Sequence, residues 1–145
     1  MIRNVLAVAV LALGATALVA QTDPIAARKA LMKANGDQSK IATEMLEAKQ
    51  PFNLEAAKKI FATFAEAGEK APALFPDTSK TGGDTAALPA IWENKADFTA
   101  KLAKLAADSK AAGAAVKDAD TFKAQVTEVR KNCGGCHQTY RKKTS

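Results

Sequence analysis

The chain has 145 residues, 25% of them charged, with 21 Lys and Arg against 15 Asp and Glu and a formal net charge of +6. That length suits one ordinary domain with a single hydrophobic core. Ala, Lys, Leu and Glu are plentiful, β-branched and aromatic residues are few, and nothing alternates with period two over a useful length, which argues against a sheet and for an all-α fold.

The chain opens MIRNVLAVAVLALGATALVAQTDP. One basic residue, Arg3, precedes an uncharged apolar run from Val5 to Ala20 that ends in small residues, the pattern of a cleaved secretory signal peptide over 1–20. The run is shorter than the roughly 20 residues of a spanning helix, so no stable membrane anchor is expected. Cleavage after Ala20 leaves Gln21 first and a domain over 21–145; a cut after Ala17 is the alternative. Loss of Arg3 lowers the formal charge from +6 to +5. Export places the chain in an oxidising compartment, the periplasm, and disfavours a nucleic-acid partner.

Four helical segments follow. The first begins at Thr22-Asp23-Pro24, with Asp23 or Thr22 as N-cap and Pro24 in the first turn, and runs to just before Pro51. Its apolar positions are Ile25, Met32, Ile41, Met45 and Leu46, and it is expected to stay continuous through Asn35-Gly36. The second opens at the cap Asn53, presents Leu54, Ala57, Phe61, Phe64 and Ala65 on one face, and stops between Gly68 and Pro72. Pro72, Pro76, Gly82, Gly83 and Pro89 then mark a long irregular stretch, a crossover between antiparallel helix pairs or a plain surface loop. The third segment spans Ala90 to Val116 with a stripe of Ile91, Phe98, Leu102 and Leu105. The fourth begins after Asp118 or Asp120. Its stripe of Phe122, Val126, Val129, Cys133, Cys136 and Tyr140 advances by alternating steps of four and three. Four such helices make an antiparallel four-helix bundle.

Both cysteines and the single histidine of the chain fall within five positions, Cys133-Gly134-Gly135-Cys136-His137. On a helix, positions i, i+3 and i+4 share a face, so Cys133, Cys136 and His137 point to the bundle interior together. A structural zinc site needs about four ligands, and this chain would have to borrow one from a carboxylate or a second subunit. A thioredoxin-like dithiol sits after a strand, and no strand is expected here. Cys-x-x-Cys-His has a third reading, attachment of c-type haem: two thiols add across the porphyrin vinyl groups and the adjoining imidazole becomes the proximal iron ligand. Gly134 and Gly135 each weaken the helix by about 1 kcal/mol relative to alanine, which a macrocycle lying against the helix would offset while also needing the close approach.

The motif lies near the C-terminus, on the last of four helices, and in this the chain resembles the cytochrome c′ family, the class II c-type cytochromes. The resemblance spans the chain after its leader. It includes Cys133, Cys136 and His137, the Tyr140-Arg141 pair, and Arg28-Lys29-Ala30-Leu31-Met32 in the first helix. The words LMKANG (31–36), ALFPDTS (73–79) and IWENKADF (91–98) look like the low-spin branch, cytochrome c-556.

The resemblance implies one covalent haem c, with Met32 on the distal side of the iron. Met45 stands thirteen residues further on, about 20 Å along the helix axis, so both cannot reach one iron. In high-spin relatives an apolar residue at this place covers an open coordination position that admits nitric oxide or carbon monoxide; Met32 would then be packing. Arg28, four residues before Met32, and Arg141 are implied as partners of the haem propionates. Electron transfer without enzymatic activity follows. The implied partners are the haem-attachment machinery and redox proteins with acidic docking surfaces that suit a basic chain. The family includes monomers and homodimers, and no self-complementary patch in the sequence chooses between them.

Overall fold

The computed structural model describes residues 23–143; the expected leader over 1–20 lies outside the described residues. Four long helices carry the architecture, and each begins where the chemistry of its cap dictates. Helix α1 (Pro24–Leu46) is capped by Asp23, whose carboxylate accepts from the Ile25 amide at 2.9 Å. It passes through Asn35-Gly36 unbroken and ends with Ala48 in the left-handed region at φ 54°. Of its expected apolar stripe, Ile25 is buried and Met32, Ile41 and Met45 are half-buried, whereas Leu46 is exposed at the last turn.

Helix α2 (Leu54–Lys70) is capped by Asn53, which accepts from the Ala56 amide at 2.8 Å. Its buried face is wider than the stripe read from sequence, adding Ile60, Ala67 and Gly68 to Ala57, Phe61, Phe64 and Ala65.

The expected third helix is in fact two. A single turn, α3 (Ala90–Glu93), stops at Asn94, which sits outside helical geometry at φ −122° and ψ 47°, and α4 (Lys95–Ala115) begins on its far side. The break has local causes. Asn offers the backbone non-helical alternatives, and the turn is pinned from outside: Trp92 Nε1 donates to the carbonyls of Phe75 and Pro76, and Lys95 Nζ to that of Phe75. Helix α5 (Ala119–Tyr140) starts with a reciprocal box in which Asp118 accepts from the Thr121 amide and the Thr121 hydroxyl from the Asp118 amide.

α2 packs most extensively on α4, then α4 on α5 and α1 on α2. The α2–α4 crossing is close because Gly68 has no side chain: a Cβ there would stand 2.6 Å from the Leu102 carbonyl oxygen and 2.7 Å from the Ala106 nitrogen. Two apolar clusters lie along the bundle. One gathers Ile60, Phe61, Phe64, Leu105, Phe122, Val126 and Val129, with Met45 and Phe52 against it. The other gathers Ala71, Phe75, Ile91, Phe98, Leu102 and Tyr140, with Leu31, Met32, Trp92 and Cys136 against it.

The segment 71–89 joins the α1–α2 pair to the α4–α5 pair and caps the second cluster. It contains two short 3₁₀ turns, Ala71–Leu74 and Asp77–Ser79, and reverses at Gly82 and Gly83, both at positive φ. The C-terminal residues zip onto it: the Lys142 amide donates to Ala86 at 2.8 Å and the Leu88 amide to Tyr140 at 3.0 Å. This isolated bridge, Ala87 to Arg141, is the extent of β pairing among the described residues. No described helix is long and apolar enough to cross a membrane.

Candidate haem site

A cavity of about 360 Å³ opens beside the second cluster, within the roughly 300–1,000 Å³ of cofactor pockets. Its walls come from α1 (Arg28, Met32, Asn35, Ser39), α4 (Phe98, Lys101, Leu102, Leu105), α5 (Asn132, Cys133, Cys136, His137, Tyr140) and the loop residues Phe75 and Ala87, with Arg141 following α5. The helical spacing of 133, 136 and 137 is what delivers all three donors to one space. Gly134 and Gly135 face the other way: both are exposed, and a Cβ at either would meet no atom within 4 Å. Packing against the protein's own atoms therefore does not require them to be glycine.

The aromatic wall is ordered edge to face. Phe75 and Phe98 lie 4.8 Å apart at 72°, and Phe98 and Tyr140 5.3 Å apart at 78°. Tyr140 is buried, and its hydroxyl donates to Asp97 Oδ2 at 2.5 Å; that hydrogen bond, with burial, pushes the phenol up to about 12.

Burial raises both thiols above the ordinary cysteine range, with Arg130 opposing it at Cys133 and Lys101 at Cys136. Reactive redox cysteines are the reverse, with depressed values that populate the thiolate. His137 is lowered by desolvation and then by the positive charge of Arg141, so the imidazole is neutral and able to ligate near neutral pH. Among the described residues no three His, Cys, Asp or Glu side chains are grouped to hold a bare metal ion.

The two methionines of the described chain part company. Met32 lines the cavity, whereas Met45 packs against the other cluster. The floor between them is tied by Arg130, whose Nη2 donates to the Ser39 carbonyl and, at 2.9 Å, to the Thr43 hydroxyl.

Arg28 reaches the cavity but is committed to the loop. Only 4% of it is exposed. Nη1 donates to Ser79 Oγ at 2.9 Å and to the Leu74 carbonyl at 3.2 Å; Nη2 donates to Thr85 Oγ1 at 2.7 Å and to the Ser79 carbonyl at 3.1 Å. The guanidinium lies over the Phe75 ring at 4.7 Å, and burial pulls its pKa down. Arg141, by contrast, is exposed at the cavity edge. Sequence reasoning overlooked Ser79, Thr85 and Phe75 as the receptors of Arg28, and the Asp97 partner of Tyr140; single polar residues in a loop carry no pattern that announces such contacts.

The donor set fits a haem better than any smaller group. Two thiols and an imidazole enter from α5, a thioether enters from α1, the space between is largely apolar, and Asn35, a residue of its lining, has a buried Oδ1 without a hydrogen bond. A family model, Cytochrome C′, matches residues 23–141. The chain belongs to the cytochrome c′ family. It is 47% identical over 133 residues to a cytochrome c′ of Rhodopseudomonas palustris, covering 92% of this chain and 91% of the relative. It is 31% identical to a cytochrome c-556 of the same organism, covering 99% of each. A solved structure of cytochrome c′ from Rhodopseudomonas palustris superposes with a TM-score of 0.83 at 47% identity, over 86% of this chain and 100% of that one. Covalently bound haem c is the cofactor of the family and of this member, a haem protein of the electron-transfer or gas-binding kind.

Proposed function

We propose that this cytochrome is a periplasmic monohaem electron carrier, not an enzyme. Cys133 and Cys136 hold the haem through two thioethers, and His137 and Met32 are its iron ligands. The observation that carries this reading is the placing of Met32, rather than Met45, in the cavity that α5 lines with Cys133, Cys136 and His137. Bound haem c supplies a one-electron ferric–ferrous couple, and a Met/His ligand pair raises its potential toward that of a carrier. The residues do the rest. A neutral His137 is ready to ligate without losing a proton, and Phe75, Phe98 and Tyr140 keep the site apolar. Arg141, exposed at the cavity edge, would hold a propionate; Arg28, whose Nη1 and Nη2 are taken by the loop, would have only Nε left for one. Partners are redox proteins with acidic surfaces, whose association slows as salt rises.

A second reading has its own support, since the relative of higher identity bears the name cytochrome c′ and the c-556 relative is the more distant of the two. In that reading Met32 only packs, and the distal position is open to nitric oxide or carbon monoxide. Absorption spectra of the haem-loaded protein, oxidised and reduced, with and without carbon monoxide, separate the two. A six-coordinate low-spin spectrum that loses its sulfur-ligand signature in Met32→Ala is the expected result. A five-coordinate high-spin spectrum that shifts promptly with carbon monoxide overturns it in favour of the gas-binding reading.

A further inference from the structure

Asn35 stands on α1 three residues beyond Met32, so the two share a helix face, and both line the cavity. Its Oδ1 is buried and unpartnered. Four other polar residues of the lining have partners of their own: Arg28 holds the loop, Lys29 pairs with Asp84, Lys101 with Asp97, and Asn132 donates to Asp108. Buried polar atoms without a partner are uncommon in native proteins and call for a cause. Helix stability is not the cause, because Asn is a poor helix former and Gly36 follows it. Core packing is not the cause either, because a leucine of similar size would fill the same space with no polar atom to desolvate.

We propose that Asn35 is a distal-side hydrogen-bond donor of the haem site, directed at a small diatomic ligand that takes the sixth coordination position when Met32 is not there. A carboxamide suits that task because it carries two donors and an acceptor, and a half-turn about its terminal bond exchanges them. Since the buried oxygen meets no donor among the described residues, a half-turn of the carboxamide gives up no hydrogen bond at that atom. The proposal rests on the haem assignment above but not on whether Met32 ligates the iron.

The test uses haem-loaded protein in which the distal position is open under either reading: Met32→Ala compared with Met32→Ala/Asn35→Leu, both reduced, with carbon monoxide as the probe. A hydrogen bond to the ligand oxygen draws density into the antibonding orbitals of the C–O bond and lowers its stretching frequency. With Asn35 present the infrared C–O stretch is expected at lower frequency, and carbon monoxide leaves about three- to tenfold more slowly, the worth of one neutral hydrogen bond. Equal frequencies and equal release rates in the two proteins overturn the proposal. Should the leucine variant fail to retain haem, Asn35→Ala gives the same comparison. The C–O stretch reports a polar contact with the ligand and is not moved by a merely structural loss. The failures stay distinguishable as well: a wild-type chain without covalent haem defeats the proposed function, whereas haem-loaded variants with identical stretches defeat only the role of Asn35.

Discussion

The two ends of the bundle share α1, α4 and α5 and differ in what completes them, α2 at the closed end and the segment 71–89 at the open end, and in what fills the space between. At the closed end the chain fills it with itself. Ile60, Phe61, Phe64, Phe122, Val126 and Val129 are each no more than 2% exposed, and Phe61 and Phe122 meet edge to face at 5.9 Å. At the open end Phe75, Phe98 and Tyr140 form a wall rather than a plug, and Met32 and Cys136 stay half-buried beside a cavity. Amphipathic pattern alone does not tell these situations apart. Met32 and Met45 lie on one helix, both half-buried, and one lines the cavity while the other packs against the closed-end core. Apolar residues on a helix face announce burial; whether they bury against protein or against a cofactor is decided by what the neighbouring helices bring to the same level.

If the ends are separate in function, their variants should separate too. Phe61→Ala leaves a large void in a close-packed core and should cost about 3–5 kcal/mol of stability, read by denaturant unfolding, while the absorption spectrum of the loaded protein stays as in the wild type. Met32→Ala should do the opposite, changing the spectrum with a smaller loss of stability. Equal spectral changes from both would show that the closed end also governs the site, and the division drawn here would fail.

Gly68 sharpens the division because it sits at the seam. The α4 residues it faces, Leu102 and Ala106, flank Leu105; Leu102 belongs to the open-end cluster and Leu105 to the closed-end one. A methyl group at 68 meets backbone atoms at 2.6 and 2.7 Å, which cannot move aside as a flexible side chain would. Gly68→Ala should therefore destabilise by about 1–3 kcal/mol through overpacking, despite the better helix propensity of alanine. It should also disturb the spectrum, unlike Phe61→Ala. A neutral or stabilising effect would mean that α2 and α4 can part at this level without cost.

Much of this organisation was legible in the residues. The cap Asn53, the caps Asp23 and Asp118 as one of two candidates each, the stripe through Phe122, Val126 and Val129, and the shared face of Cys133, Cys136 and His137 follow from local rules that tertiary contacts did not override. Two kinds of feature were not legible. The break at Asn94 depends on Trp92 and Lys95 reaching carbonyls some twenty residues earlier, and no local periodicity encodes that. The commitment of Arg28 depends on Ser79 and Thr85, which a short-range pattern cannot assign to it. Asn35 is the instructive case between these. In sequence it is only a residue of LMKANG in a helix expected to run on through Gly36, and its unpartnered oxygen is visible only in the fold.

The smallest expected effect belongs to pH, and it should be confined to the open end. The closed-end cluster contains only Ala, Ile, Phe, Leu, Val and Met side chains, none of which titrates. At the open end the Tyr140 phenol, held by Asp97, is raised from 10 to about 12. Below pH 10 the phenol is protonated in both the folded and the unfolded chain, and its full contribution is present. Above that the unfolded chain gives up its proton first while the folded chain keeps it, so the native state binds more protons and stability falls as pH rises. The advantage of wild type over Tyr140→Phe should therefore be constant up to pH 10 and shrink between 10 and about 12, measured as the difference in thermal midpoint. The offset between wild type and Phe61→Ala should show no such closing over the same interval, because the change lies where nothing titrates. A Tyr140→Phe offset that stays flat to pH 12 would mean that the Asp97 contact does not hold the proton. The open end would then differ from the closed one in shape alone.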